Sequence, residues 1–350
     1  MNSYCFNQTI QIGQRKVGIG QPCYVIAEAG VNHNGDIELA KKLIEVAARA
    51  GADAVKFQLF NTSALILPNV AQADYQKQQT VSQTQYQMLQ QLELKIEQFK
   101  ELQAYCHHQN ITFLITPFDE VSLAELSQLN LAALKISSTD LTNLPFLRRA
   151  AKLNIPLILS SGMSELSEVE LALDTLHPLT ANILLLQCTS SYPAPENQID
   201  LRVMQRYQQQ YGVLAGYSDH TPGLGVAPYA VAAGAVLIEK HFTLDKTLPG
   251  PDHKASLDPD ELSALIKEVR RVDTMLGRHI KTVQLCEQQN RQSLQKCLVA
   301  RQSIRAGEVL GEHNLVAMRT GGKGISPIFA DRVFNSLAKT DYQAGDIIDA

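Results

Sequence analysis

Eight short apolar runs recur along the chain up to residue 241, most of them separated by a longer amphipathic segment. They are CYVIAE (23–28), AVKFQ (54–58), ITFLIT (111–116), ALKISS (133–138), PLILSS (156–161), ILLLQC (183–188), VLAGYS (213–218) and VLIEKH (236–241). Their residues are apolar on both faces rather than alternating, which is how parallel strands covered on both sides read. Between them, residues 36–50 place Ile37, Ala40, Leu43, Ile44, Ala47 and Ala48 at helical spacing, with Asp36 as N-cap and Gly51 just past the end. Further helices are predicted near 97–109, 120–130, 143–153, 165–176, 200–210, 223–234 and 258–276, the last opened by Asp258-Pro259. Eight such units in about 250 residues predict an α/β fold of the (β/α)8 TIM-barrel kind. A doubly wound open sheet is the alternative. It would place a ligand at one switch point, whereas polar residues here follow nearly every strand.

The barrel domain is assigned to 1–280, a linker to 281–291 and a small β-rich domain to 292–350. Within that tail, IRAGEVL (304–310) and YQAGDII (342–348) echo each other, each reading as a glycine turn entering a strand. The chain has 350 residues, 45% apolar and 19% charged, enough to bury a sizeable core. Lys plus Arg number 31 against 35 Asp plus Glu, a net charge of -4, and no basic tract appears. A nucleic-acid partner is therefore not expected. The longest apolar stretch, near Ala230–Ile238, is far shorter than the ~20 residues of a membrane span. No secretory signal is read in MNSYCFNQTI. Six scattered cysteines with no CxxC pair suggest reduced thiols and a cytoplasmic protein.

In such a barrel the loops after the strands carry the active site. Glu28 ends the first strand, Lys56 and Gln58 lie on the second, and Thr116 ends the third. Lys135 and Ser138 belong to the fourth, Ser160 to the fifth, and Tyr192 follows the sixth. A lysine inside an apolar strand either faces an anion or suffers a large desolvation penalty. Two of them, joined by Thr116, Ser138 and Ser160, point to a phosphate or carboxylate pocket. His220 and His241 occupy matching places on consecutive strands. Adjacent parallel strands lie about 4.8 Å apart, so the two imidazoles can converge on one ion. Two nitrogens completed by oxygens suit Mn²⁺, Fe²⁺, Co²⁺ or Zn²⁺. His33 is placed near the site and His253 is ambiguous. His107, His108, His177, His279 and His313 read as surface residues. SSGMS (160–164) is not a nucleophile elbow, so serine-hydrolase chemistry has little support.

The motifs IAEAGVNHNGD (26–36), GADAVKFQ (51–58), TPFD (116–119), LKISSTDLTNLP (134–145), LILSSGM (157–163), LLQCTSSYPAP (185–195), GYSDHT (216–221), IEKHFTLDKTLPGPDHKAS (238–256) and MRTGGKGISP (318–327) resemble the N-acetylneuraminate (sialic acid) synthase family. The resemblance runs from about residue 20 to the end, and the tail resembles that family's antifreeze-like (SAF, β-clip) domain. It implies a transferase that condenses phosphoenolpyruvate with an N-acetylmannosamine-type sugar and releases phosphate. Lys56, Thr116, Lys135, Ser138 and Ser160 would hold phosphoenolpyruvate. His220 and His241 would hold a divalent metal, Mn²⁺ before Mg²⁺ or Co²⁺. Gln58, Tyr192 and Asp252 would contact the sugar. Glu28 and Asp252 are the candidates for proton transfer or cation stabilisation. Arg319 would reach the sugar's N-acetyl group in the partner subunit of a domain-swapped homodimer.

Three departures fall near sugar-facing loops. Gln72 in QADYQ (72–76) stands where relatives carry lysine, MRTGGKGISP lacks the proline after its arginine, and SSTD ends in Asp140 where relatives have glutamate. The expected acceptor is N-acetylmannosamine, with a legionaminic-type synthase acting on 2,4-diacetamido-2,4,6-trideoxymannose as the close alternative. A synthase of 3-deoxy-sugar phosphates would need a second basic pocket. A catalytically silent sugar-binding protein would not need Lys56, Lys135, His220 and His241 together.

Overall fold

The computed structural model describes residues 4–71, 84–278 and 280–349, so QADYQ (72–76) and His279 lie outside the described residues. An antiparallel hairpin, β1 (Thr9–Ile12) and β2 (Arg15–Gly18), precedes eight parallel strands. These are β3 (Tyr24–Gly30), β4 (Ala54–Leu59), β5 (Thr112–Pro117), β6 (Leu134–Ile136), β7 (Leu157–Ser160), β8 (Ile183–Cys188), β9 (Leu214–Asp219) and β10 (Leu237–His241). Their hydrogen-bonded order is β5-β4-β3-β10-β9-β8-β7-β6. The outer two, β5 and β6, run alongside each other, so the sheet is a nearly closed TIM-like barrel. Each strand matches one of the eight apolar runs.

Ten helices are described in this unit: α1 (Ile37–Ala50), α2 (Thr62–Leu65), α3 (Gln85–Leu92), α4 (Ile96–His108), α5 (Glu120–Glu125), α6 (Leu144–Ala151), α7 (Leu166–Leu176), α8 (Arg202–Tyr211), α9 (Ala227–Ala232) and α10 (Pro259–Leu276). Local chemistry explains their ends. Asp36 accepts from the Glu38 amide to start α1, and Gly51 closes it at φ 83°. Asp258 and Glu261 form a capping box at α10, with Pro259 in the first turn. Two expectations are corrected. β6 covers three residues, because Ser137 accepts from the Thr139 amide and turns the chain into a 3-10 segment, Ser138–Asp140. The helix expected at 223–234 begins only at Ala227, since Gly223 and Gly225 take positive φ (61° and 51°).

Strand residues alternate between two cores. Those facing out, such as Val25, Val55, Phe113 and Leu159, pack under the helices. Those facing in, such as Tyr24, Ile26, Leu114, Ile158, Leu184 and Leu237, fill the barrel's lower half. Ile10, Ile12 and Val17 of the N-terminal hairpin join that inner cluster. This hairpin was not expected from the sequence, and its apolar residues find their partners only once the barrel has closed.

The chain divides into two compact units, Met1–Arg278 and His279–Ala350. In the second, 3-10 turn Leu285–Glu287 and helix α11 (Gln288–Leu294) occupy much of the segment expected to be a linker. β11 (Lys296–Ala300) and β12 (Leu315–Arg319) pair antiparallel. The two echoing segments share one backbone pattern, with Gly307 and Gly345 at φ 86° and 91°. Ile304 and Tyr342 pair with each other across an isolated antiparallel bridge. Their runs are thus bridges flanking a turn rather than extended strands. Leu298, Ala300, Ile304, Leu310, Leu315, Tyr342 and Ile348 belong to this unit's own core.

Candidate active site

The inward face of each strand changes character near its C-terminal end. Ile26 is followed two residues later by Glu28, Ala54 by Lys56, Leu114 by Thr116, Ile158 by Ser160, and Leu237 by Glu239. Period-two alternation carries all of these side chains into the same space. There they line a cavity of about 60 Å³, together with Gln58, Lys135, Ser138, Tyr192, His220 and His241. Every sequence-predicted residue of the barrel site except Asp252 is in that lining. Asp252 lines a second cavity of about 780 Å³, which shares Gln58, Phe118, Ser137, Ser138, Tyr192 and His241 with the first. The smaller cavity is a polar floor and the larger one is its mouth. Arg319 is exposed at the end of β12 in the second unit.

Glu239 organises the floor. Its carboxylate lies 3.7 Å from both Lys56 Nζ and Lys135 Nζ. It also accepts from Ser218 Oγ at 3.0 Å. Lys56 Nζ reaches Glu28 Oε2 at 2.7 Å and donates to Thr116 Oγ1 at 2.9 Å. Lys135 Nζ donates to Ser160 Oγ at 2.6 Å and to the Ile136 carbonyl at 3.1 Å. Gln58 Nε2 donates to Glu28 Oε1 at 3.2 Å. Gly30, at φ 54°, sits where an added Cβ would meet Gln58, Glu28 and His241 within 3.4 Å. The chain therefore turns there without crowding the floor.

The charges respond to this setting. Burial opposes the Lys56 ammonium, but Glu239 and Glu28 outweigh it and raise its pKa. For Lys135 burial wins and lowers the pKa, with Glu239 only partly offsetting it. Burial likewise disfavours the Glu239 carboxylate, yet Lys135 and Lys56 hold it down at about 2. Glu28 is raised by burial, against the pull of Lys56. Asp252 is pushed up to about 6, again by burial, with His220 opposing.

His220 and His241 do converge, with ring centroids 5.6 Å apart. Tyr192 packs beside them, at 4.2 Å from His220 and 5.9 Å from His241. A divalent cation, which the resemblance implies, fits this pair. His220 Nδ1 faces the Thr189 carbonyl at 2.9 Å, and donating there leaves a lone pair on Nε2. His241 Nδ1 is buried without a hydrogen-bond partner. Burial, then His220 and Lys56, hold His241 well below the ordinary histidine value, in the neutral form a ligand needs. Among the described residues no group of three or more His, Cys, Asp or Glu could hold a metal. Two protein nitrogens would thus be completed by oxygens from water or substrate.

Glu239 and Cys188, which carry no role in the sequence reading, also line the floor. A signal was present for Glu239: it lies two residues before His241 on one strand, hence on the same face. Cys188 Sγ is 3.7 Å from His220 Nδ1. Asp140 is outside both linings and accepts from Asn143 Nδ2 at 3.1 Å. His33 and His253 are buried and line neither cavity. His253 lies 2.7 Å from Thr243 Oγ1 and 3.0 Å from Asn34 Oδ1. His177, read as a surface residue, is half-buried and accepts from the Cys5 amide at 3.0 Å.

Residues 43–281 match the NeuB family and residues 295–350 match the SAF domain. The chain is 46% identical over 328 residues to N,N'-diacetyllegionaminic acid synthase of Campylobacter jejuni, covering 93% of this chain and 98% of that one. It is 41% identical over 339 residues to the enzyme of the same name from Legionella pneumophila, covering 95% of each. Among solved structures, it is similar to N-acetylneuraminic acid (sialic acid) synthetase from Leptospira borgpetersenii. That match has a TM-score of 0.74 and 35% identity, and covers 84% of this chain and 99% of that one.

Proposed function

Since the chain belongs to the NeuB family and carries a SAF domain, we propose that it condenses phosphoenolpyruvate with an acetamido sugar aldehyde and releases inorganic phosphate. The acceptor proposed is 2,4-diacetamido-2,4,6-trideoxymannose, making the product a legionaminic-type acid. The observation that carries the reaction is the floor itself. Two buried lysines, each on a strand-end hydroxyl, lie beside two converging histidines under a larger mouth. The acceptor rests on the 46% and 41% identity to the two legionaminic acid synthases. N-Acetylmannosamine, expected first from the sequence, is the second reading, and the 35% identity to the Leptospira enzyme favours it.

Phosphoenolpyruvate is a compact polyanion, and Lys56 with Thr116 and Lys135 with Ser160 and Ser138 offer it charge-assisted hydrogen bonds. Tyr192, Gln58 and Asp252 hold the sugar with its aldehyde toward the histidines. The C2–C3 π pair of phosphoenolpyruvate forms the new bond to the aldehyde carbon, and the aldehyde oxygen takes up a proton. Water adds to the cationic C2 and loses a proton to a carboxylate. The tetrahedral intermediate then expels phosphate with the C2–O bond pair, as its C2 hydroxyl becomes the keto carbonyl and gives up its proton. Glu28 and Asp252, whose pKa values burial raises, are placed to exchange those protons. A divalent cation, Mn²⁺ first, on His220 and His241 would supply Lewis acidity at the aldehyde oxygen. In a domain-swapped homodimer, Arg319 of one chain would meet the acetamido group in its partner's barrel. The test is phosphate release from phosphoenolpyruvate on adding either sugar. No release with both sugars would sink the reading.

A further inference from the structure

The mouth above the floor has two unlike walls. Ser137, Ser138, Thr139, Ser190, Ser191 and Tyr192 line it with polar groups. Val31, Phe60, Leu65, Ile66, Met88 and Leu89 line it with hydrocarbon, beside the Gln85 amide at the start of α3. Most of the apolar wall comes from α2, α3 and the chain beside them. Val31, Phe60, Met88 and Leu92 form a buried cluster of their own, separate from both barrel cores. Leu65 and Leu89 pack against it while remaining only partly buried. The wall is anchored: Glu93 Oε2 accepts from the Thr62 amide at 2.9 Å and from Thr62 Oγ1 at 2.6 Å. Asp119 Oδ2 accepts from the Asn61 amide at 2.7 Å. A fixed hydrocarbon face beside a polar reaction floor is what a site needs to recognise an apolar group at the far end of a polar substrate.

We infer that this wall is the specificity determinant for the acceptor's distal end, selecting a 6-deoxy acetamido sugar whose C6 is a methyl group over one whose C6 bears a hydroxyl. The inference rests on the proposed condensation at this site. The aldehyde carbon must reach the floor, so C6, five bonds away along the open chain, is left in the mouth, where this wall offers the hydrocarbon face for a methyl. Seating a hydroxymethyl against Leu65, Met88 and Leu89 would strip its hydroxyl of water and return no hydrogen bond. A methyl there loses nothing and buries apolar area. An apolar pocket that meets an added hydroxyl discriminates by about 10²-fold.

The test uses two sugars differing by one oxygen, N-acetylmannosamine and its 6-deoxy analogue, with the diacetamido sugar as a third acceptor. The reading is the ratio of kcat/KM values for the first two within one protein preparation, so any unfolded fraction cancels. The wild-type ratio should favour the 6-deoxy sugar by about tenfold or more. Leu89→Asn and Leu65→Asn should each lower that ratio at least about fivefold, chiefly by slowing the 6-deoxy sugar. Equal use of both sugars by the wild-type enzyme would overturn the inference. So would a ratio that neither variant moves. Absence of phosphate release with all three acceptors would instead sink the proposed condensation, and this inference with it.

Discussion

Lys56 and Lys135 are the two lysines of the proposed anion pocket, and burial is offset differently at each. Lys56 has two carboxylates in reach, whereas Lys135 has Glu239 at 3.7 Å and otherwise a hydroxyl and a carbonyl. A charge-assisted hydrogen bond in a buried site contributes about 1.5–3 kcal/mol. Lys56→Met or Lys135→Met should therefore weaken phosphoenolpyruvate binding more than about tenfold by calorimetric titration. Wild-type affinity in both variants would return the lysines to a purely structural role. His220→Ala or His241→Ala should abolish turnover, since each leaves one imidazole to hold the cation. Chelator-treated wild-type protein should lose activity and regain it with Mn²⁺. Full activity after exhaustive chelation would remove the metal from the mechanism. Both lysines were legible in the sequence as charged residues in otherwise apolar strands, and both histidines by their matching places at consecutive strand ends. What joins the lysines, Glu239, follows from strand alternation plus barrel closure.

At the level of elements, two buried arrangements hold the strand ends in place. Lys240 and Asp219 point out of the barrel, away from the site, and pair at 2.9 Å with both side chains almost wholly buried. Asp219 Oδ1 also accepts from the Thr221 amide and hydroxyl, at 2.9 and 2.6 Å. Lys240 also donates to the Thr221 carbonyl, so it ties β10 to the residues on either side of His220 and lies next to His241. Removing one partner of a buried pair costs about 3–5 kcal/mol, because the other charge is stranded. Lys240→Met should lose that much in urea unfolding, and Lys240→Met with Asp219→Asn should recover most of it. A single variant as stable as wild type would show that the pair does not support the strand ends. The second arrangement joins the loop after β3 to the loop after β10 where Asn34 meets His253, with His33 buried in the first of those loops. Burial lowers both imidazoles to about 4. In the unfolded chain they titrate near 6.5, so that state binds more protons between about pH 6.5 and 4. Their stabilising contribution is complete above about pH 6.5 and is lost as the pH falls toward 4, on the order of 3 kcal/mol each. Unfolding free energies at pH 7.5 and 4.5 should show that fall, with a shallower slope in His253→Gln. An identical slope in the variant would refute the assignment.

For the whole molecule, the question is what a second unit with its own core adds to a barrel that already holds a complete floor. In the proposed swapped dimer, each chain lends Arg319 to its partner's mouth, an arrangement that two-fold symmetry repeats. Arg319→Ala has a sound barrel, and His220→Ala has a sound second unit. Each homodimer should be nearly inactive. Random mixing makes about half the dimers heterodimers, and in each of these one site of two is whole, so about a quarter of wild-type activity should return. If Arg319 served its own barrel, mixing would recover nothing. The proposed acceptor and the apolar wall belong to this scale too, because α2, α3 and several barrel loops meet only in the folded mouth.

Sequence alone determined what depends on near neighbours along the chain. The eight strands appear in full apolar runs, α1 and α10 carry their caps within a few residues, and the inward polar positions follow a period of two. The glycine echo at 304–310 and 342–348 likewise announced two matching turns. Tertiary structure decided everything that needs barrel closure. It plugged the barrel's lower half with Ile10, Ile12 and Val17, whose hairpin alternation does not say which core they join. It set Glu239 between lysines from β4 and β6, strands that do not touch it in sequence or in the sheet. It also put a hydrocarbon wall opposite a polar one. The physical reason is that backbone geometry fixes side-chain direction within an element, whereas distance across a barrel depends on how all eight strands pack together.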